Sequence, residues 1–147
     1  MDAIADNKYV TPLLITLLIV LAVKFIPRFF SGAKYVNPEE VEKALSSGDD
    51  VVVIDVRSKG EFVGSLGHIK GAVNLPLGEL SNKLDALSEQ LAPYKEEPVY
   101  AVCRTDNRSA IAAGTLKKAG FKDVRVVTGG MTRWTREKRP VEGKGGV

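Results

Sequence analysis

Cys103 heads a short polar stretch, Cys103-Arg104-Thr105-Asp106-Asn107-Arg108-Ser109-Ala110. These residue types point to thiolate chemistry. A thiol beside arginines and a helix start is favoured as its thiolate, which is the nucleophilic form. Successive backbone N–H groups in a strand-to-helix loop can converge on one point and form a nest for an anion. The following helix adds unsatisfied N–H groups and the positive end of its dipole. Arg104 and Arg108 supply formal charge. Such a loop activates a sulfur, binds an anionic donor and holds a charged product on that sulfur. The bland alternative is a polar surface turn with an incidental cysteine, since a lone cysteine is more often a small buried apolar residue. Cys103 is the sole cysteine and His68 the sole histidine among 147 residues. An intramolecular disulfide and a Cys/His zinc site are therefore excluded, and no metal or organic cofactor is implied.

The loop needs a rigid frame, and the sequence supplies one over residues 31–147. Val51-Val52-Val53-Ile54, Val99-Tyr100-Ala101-Val102 and Val124-Arg125-Val126-Val127 read as strands, the first buried on both faces. Shorter strands are expected at Lys34–Val36 and Ala72–Asn74. Helices fall between them. Asn37-Pro38-Glu39-Glu40 is a start signal, with a cap, a first-turn proline and acids at the positive dipole end, and Gly48 is the stop. Leu80, Leu84, Leu87 and Leu91 form one apolar face of a second helix. A third helix is expected from Ser109 to Ala119 and a fourth from Met131 to Lys138. Strands alternating with helices imply a parallel sheet with helices on both faces. Ligands in such sheets sit beyond the carboxyl ends of the strands, where Cys103 stands.

Residues 1–30 are of another kind. From Tyr9 to Val23 the chain carries no charge, and Lys24, Phe25, Ile26, Pro27, Arg28, Phe29 and Phe30 follow. A spanning helix needs about 20 apolar residues, roughly 17 at the least. The uncharged run reaches that only if Lys24 snorkels to the interface. A single uncleaved transmembrane helix is the expectation, since a signal peptide would begin with positive charge, whereas Asp2 and Asp6 face a lone Lys8 here. Lys24, Arg28 and Lys34 then place the main domain in the cytoplasm, with the chain a single-pass protein of the cell membrane. The formal charge of +3 carries no long basic run with interleaved aromatics, which argues against nucleic acid as a partner.

Taken with its surroundings, the loop resembles the active-site loop of the rhodanese family, in which Cys and Arg are the first and last of six residues, as Cys103 and Arg108 are here. Val53-Ile54-Asp55-Val56-Arg57 is similar to a strand motif of that family. Glu61-Phe62 with Gly67-His68-Ile69-Lys70-Gly71-Ala72-Val73-Asn74-Leu75-Pro76 resembles its central motif. Gly129-Gly130-Met131 with Trp134 and Pro140-Val141 resembles its carboxyl-terminal motif. The resemblance covers about residues 34–142, in order. It implies a rhodanese-like α/β fold, a central parallel sheet of about five strands flanked by helices. It also implies a sulfurtransferase: Cys103 takes the outer sulfur of thiosulfate or a related small anionic donor, becomes a persulfide, and passes the sulfur to a thiol or cyanide. A protein could serve as the sulfur acceptor. In that scheme Arg108 binds the donor and the amides of Arg104, Thr105, Asp106, Asn107, Arg108 and Ser109 stabilise developing charge.

The family often has glycine where Asp106 stands, a sign of positive φ or close ligand approach. The negative charge of Asp106 would oppose an anionic donor. Asp55, Arg57, Glu61 and His68 are expected to support the site: Arg57 pairing with Glu61, Asp55 ordering the mouth, His68 hydrogen-bonding structurally. Two rivals stand beside the enzyme. Cysteine-arginine phosphatases carry a loop one residue longer, fitted to phosphate. A membrane-tethered persulfide carrier or redox-responsive binding module would use Cys103 without efficient turnover.

Overall fold

The computed structural model describes residues 9–145. Helix α1 (Val10–Phe30) leads into strand β1 (Lys34–Val36) and helix α2 (Pro38–Ser47). Strand β2 (Val52–Asp55), the one-turn helix α3 (Lys59–Phe62) and strand β3 (Val73–Asn74) follow. Helices α4 (Leu80–Ala86) and α5 (Ser88–Leu91) precede strand β4 (Pro98–Val102). Helix α6 (Asn107–Lys118), strand β5 (Asp123–Val127) and helix α7 (Gly130–Arg136) complete the order.

The five strands form one parallel sheet in the order β1-β5-β4-β2-β3. β-Branched residues fill it because both faces are covered. On one face Ile54, Val99, Ala101, Val124 and Val126 pack under Leu80, Leu84, Ala112, Ala113 and Leu116 of α4 and α6. On the other Val36, Val53, Val102 and Val127 pack with Val41, Met131 and Trp134 of α2 and α7. From the central pair β4 and β2, the chain leaves in opposite directions, toward β5 and toward β3. Their carboxyl ends therefore flank the crevice where parallel sheets bind ligands.

Local signals explain the element ends. Asn37 and Glu40 form a capping box at α2, and Gly48 closes it with φ 76°. Two expectations need correction. The leucine face from Leu80 to Leu91 is split, because Leu87 leaves helical geometry at φ −105°, ψ 13°. Leu84 and Leu91 still reach the same core, so the packing survives the break. The last helix also ends earlier, at Arg136 rather than Lys138, which sits at φ 56°.

The expected transmembrane helix is not met: among the described residues, no helix is long and apolar enough to cross a membrane. Helix α1 does form at the expected place. Its uncharged run ends at Val23, short of the roughly 17–20 residues a span requires. Asp2, Asp6 and Lys8 lie outside the described residues, as do the side chains of Lys24 and residues 27–30. The described side chains of α1 are mostly exposed, among them Leu13, Leu14, Leu17, Leu18, Ile19 and Val23.

Candidate active site

Cys103 directly follows the last residue of central strand β4, and α6 begins four residues later at Asn107. The carbonyl of Cys103 accepts the Met131 N–H at 2.8 Å, and that of Arg104 accepts the Thr132 N–H at 3.0 Å. In a planar trans peptide the next N–H points the opposite way. The N–H groups of Arg104 and Thr105 are thereby turned away from α7. At the other end of the loop the Asp106 carbonyl accepts the Ala110 N–H at 3.0 Å and the Ser109 hydroxyl at 3.1 Å. Among the described residues, no acceptor takes the N–H of Arg104, Thr105, Asn107, Arg108 or Ser109. The loop is held by its carbonyls, and those five amides have room to receive an anion.

Gly130 makes this possible. A Cβ there would stand 2.1 Å from the Thr105 carbonyl oxygen and 2.3 Å from that of Cys103, so no side chain fits. Gly129 and Gly130 have φ of 76° and 53° and turn the chain sharply from β5 into α7.

The thiol is buried, at 1 % exposure, and its Sγ lies 3.5 Å from the hydroxyl of the fully buried Ser109. A reactive thiol open to solvent is not what the structure shows. Asp106 sits at φ −148°, outside the left-handed region that a glycine there would suggest. Its carboxylate accepts the Gly129 N–H at 3.4 Å, so the side chain is used at the start of α7. Arg104, Thr105 and Asn107 are exposed.

The supporting residues pair differently from the expectation. Arg57 does not pair with the Glu61 carboxylate. Its guanidinium, 1 % exposed, binds the fully buried Asp55 at 2.7–3.0 Å. It also donates to the carbonyls of Glu61 at 3.1 Å and Gly67 at 2.7 Å. Arg57 precedes α3, so the one-turn spacing that pairs residues on a helix surface does not apply. Glu61 is the third helical residue of α3 and forms a capping box with Ser58. Its carboxylate then crosses the crevice to Arg108, with two parallel bonds of 2.7 and 2.8 Å. His68 donates its Nδ1–H to the Phe62 carbonyl, 3.0 Å away, and stacks on the Phe62 ring at 3.7 Å. Its backbone pairs with Glu142. Asn74 escaped the sequence reading. Its side-chain amide donates to the carbonyls of Asp55 and Arg57 at 3.0 and 2.8 Å and fixes the end of β2.

The Arg108 bond holds the Glu61 carboxyl down at about 2, against an ordinary 4.5. Arg108 is raised in turn, chiefly by the same bond, with the Cys103 sulfur among the lesser causes. Both side chains are about a third exposed, 37 % and 32 %, so solvent screens the pair. Its worth is about 0–1 kcal/mol, and opening it is cheap. The sign follows from the depressed carboxyl. The stabilisation is present above the ordinary carboxyl value and is lost as pH falls from about 4.5 through about 2. Urea midpoints of wild type and Glu61→Gln should therefore differ at neutral pH and converge toward pH 2. A difference that stayed constant down to that pH would refute the pairing.

A cleft of about 450 Å³ opens beside the loop, lined by Glu61 of α3 and by Arg104 of the loop. Among the described residues, no group of His, Cys, Asp and Glu could hold a metal ion.

Known proteins share this arrangement. Residues 37–137 match the family model described as rhodanese-like domain. The chain is 34 % identical over 105 residues to YrkF of Bacillus subtilis (strain 168), whose name proposes a sulfur carrier; the match covers 71 % of this chain and 52 % of that protein. The chain thus spans about half the length of that curated relative, and less of others. A rhodanese-related protein from Thermoplasma volcanium superposes with a TM-score of 0.62 at 26 % identity, over 75 % of this chain and 98 % of that one. A thiosulfate sulfurtransferase from Pseudomonas aeruginosa gives 0.68 at 25 % identity, over 83 % of this chain and 23 % of that one. The family model spans more than half of the chain, and the chain belongs to the rhodanese-like domain family.

Proposed function

We propose that the chain is a sulfurtransferase that carries sulfane sulfur as a Cys103 persulfide. The observation that supports this most is that, in the loop headed by Cys103, the amides of Arg104, Thr105, Asn107, Arg108 and Ser109 have no acceptor among the described residues. In the first step the Cys103 thiolate attacks the outer sulfur of thiosulfate or a related donor. The S–S bond of the donor breaks, its electron pair leaves with sulfite, and Cys103 keeps the sulfur as a persulfide anion. A thiol, a cyanide or a protein thiolate then attacks that outer sulfur and restores the Cys103 thiolate. Preorganised N–H donors favour charge on the outer sulfur throughout.

The carrier reading has its own support in the buried thiol and in the sulfur-carrier name of the Bacillus subtilis relative. The two differ in turnover. Steady-state transfer from thiosulfate to cyanide or a small thiol should proceed through many cycles per chain. A single sulfur taken up, without cycling, would select the carrier.

The same proposal extends to place. The exposed leucines, isoleucines and valines of α1 would be costly in water and stable in a bilayer. Were α1 held in a bilayer, the bases Lys24, Arg28 and Lys34 would favour the cytoplasmic side for the domain. Full-length protein should stay with the membrane fraction after a carbonate wash. Its release into the supernatant would overturn this part.

A further inference from the structure

The Cys103 loop stands at the carboxyl ends of the strands, and the opposite rim of the sheet has a charge pattern of its own. Lys34 opens β1, Lys117 and Lys118 end α6, and Lys122 precedes β5. Pairing sets Lys34 opposite Arg125 on the neighbouring strand. The Asp123 carboxyl is held below its ordinary value chiefly by its bond to Arg125, and in smaller part by Lys34 and Lys117. Asp123 is thus committed to Arg125, and Lys117 donates to the Gly32 carbonyl. Lys34, Lys118 and Lys122 are exposed, and no carboxylate among the described residues pairs with them. The dipole of α6 favours a base in its last turn, which accounts for Lys118 but for neither Lys34 nor Lys122.

Helix α1 arrives at the same rim. It meets the domain at α6, and the buried Ser31 lies between it and β1. Leu17, Leu18, Ile19, Val20 and Leu21 are successive and all exposed, so this stretch is apolar on every side. In sequence Lys24 and Arg28 lie between that run and Lys34. Apolar surface followed at once by unpaired bases fits an anionic lipid leaflet, with acyl chains for the helix and headgroup phosphates for the lysines. Acids lie further along the rim, Asp49 and Asp50 before β2 and Glu96 and Glu97 before β4. A negative surface repels them, which leaves the β1–β5 edge as the side that approaches it.

We infer that this edge docks on the headgroups of an anionic bilayer through Lys34, Lys118 and Lys122, and that the Cys103 loop therefore faces water. The inference rests on the placement of α1 in a bilayer and adds which lipids, which residues and which way the domain stands. Cys103 follows the carboxyl end of β4, whereas Lys34 and Lys122 lie at the amino ends of β1 and β5. Five residues of strand, at about 3.3 Å each, carry the loop roughly 15 Å further from the lipid. The Debye length is about 8 Å at physiological salt, so little of the negative surface potential reaches the loop amides.

Flotation of full-length protein tests this, with vesicles of phosphatidylcholine alone and of phosphatidylcholine with a third phosphatidylglycerol. Wild type should favour the anionic vesicles, and high salt should remove the preference. Lys34→Gln, Lys118→Gln and Lys122→Gln should each lower it about fivefold, the scale of one base near an anionic surface. Lys59→Gln, beyond the carboxyl end of β2, should leave it unchanged. Lysine acylation read by peptide mass mapping is a second measurement that needs no variant. Anionic vesicles should shield Lys34, Lys118 and Lys122 and leave Lys59 reactive. Equal binding to both vesicles, a preference that survives high salt or all three substitutions, or equal shielding of Lys59 overturns the inference. Shielding that arises without vesicles as the protein is concentrated also overturns it and assigns the edge to a second copy. Protein that floats with neither vesicle is a different result, and it brings down the bilayer placement itself.

Discussion

Cys103→Ser is expected to cut sulfur transfer by on the order of a thousandfold or more, the scale seen when a covalent nucleophile is removed. A serine hydroxyl is not ionised at neutral pH and does not open a sulfane S–S bond. The fold should tolerate the change. The buried site offers the new hydroxyl a partner in the Ser109 side chain, which lies 3.5 Å from the sulfur. Stability should move by no more than about 1–2 kcal/mol, the ordinary range for one buried substitution without a cavity. Transfer from thiosulfate or glutathione persulfide to cyanide, measured beside a thermal melt, separates the two effects. Substantial activity in a folded serine variant would remove Cys103 from the chemistry.

Arg57→Met is the second large effect, and it falls on stability. Arg57 is among the largest fully buried side chains, and it closes three elements at once. It neutralises Asp55 at the end of β2, caps the Glu61 carbonyl of α3 and holds the Gly67 turn. Without it, Asp55 is a buried charge with no counterion, at a cost of roughly 3–5 kcal/mol. For a chain of this size that corresponds to about 10–16 °C in Tm. Removing both partners, as Asp55→Leu with Arg57→Met, should recover part of the loss, since a buried pair is worth less than its breaking costs. A single variant that melts with wild type would show that the pair carries no stability.

The frame of this site was legible because its signals are local. Val99–Val102 is a β-branched and apolar run that could hardly lie elsewhere than inside a sheet, and it put Cys103 at a strand end. Asn37-Pro38 and Gly48 marked the two ends of α2 by backbone chemistry alone. Partner choice across the crevice was not legible. Glu61 lies four residues from Arg57 and 47 from Arg108, and only the β2–β4 pairing brings the distant arginine closer in effect. The Ser58-to-Glu61 capping box was the one local clue that Glu61 sits on a helix of its own. The burial of the thiol also depends on three-dimensional packing, because Cys103 sits in the core cluster with residues of other elements such as Ile54 and Ala113. The rotation of Asp106 toward Gly129 likewise depends on where α7 packs.

Intact-mass measurement of full-length protein, after incubation with a sulfane donor, tests the central claim most directly. The expected result is a gain of one sulfur atom, located on Cys103 by peptide mapping and removed by a thiol reductant. An unchanged mass with thiosulfate and with glutathione persulfide alike, in protein whose Cys103 is shown to be reduced, would contradict it.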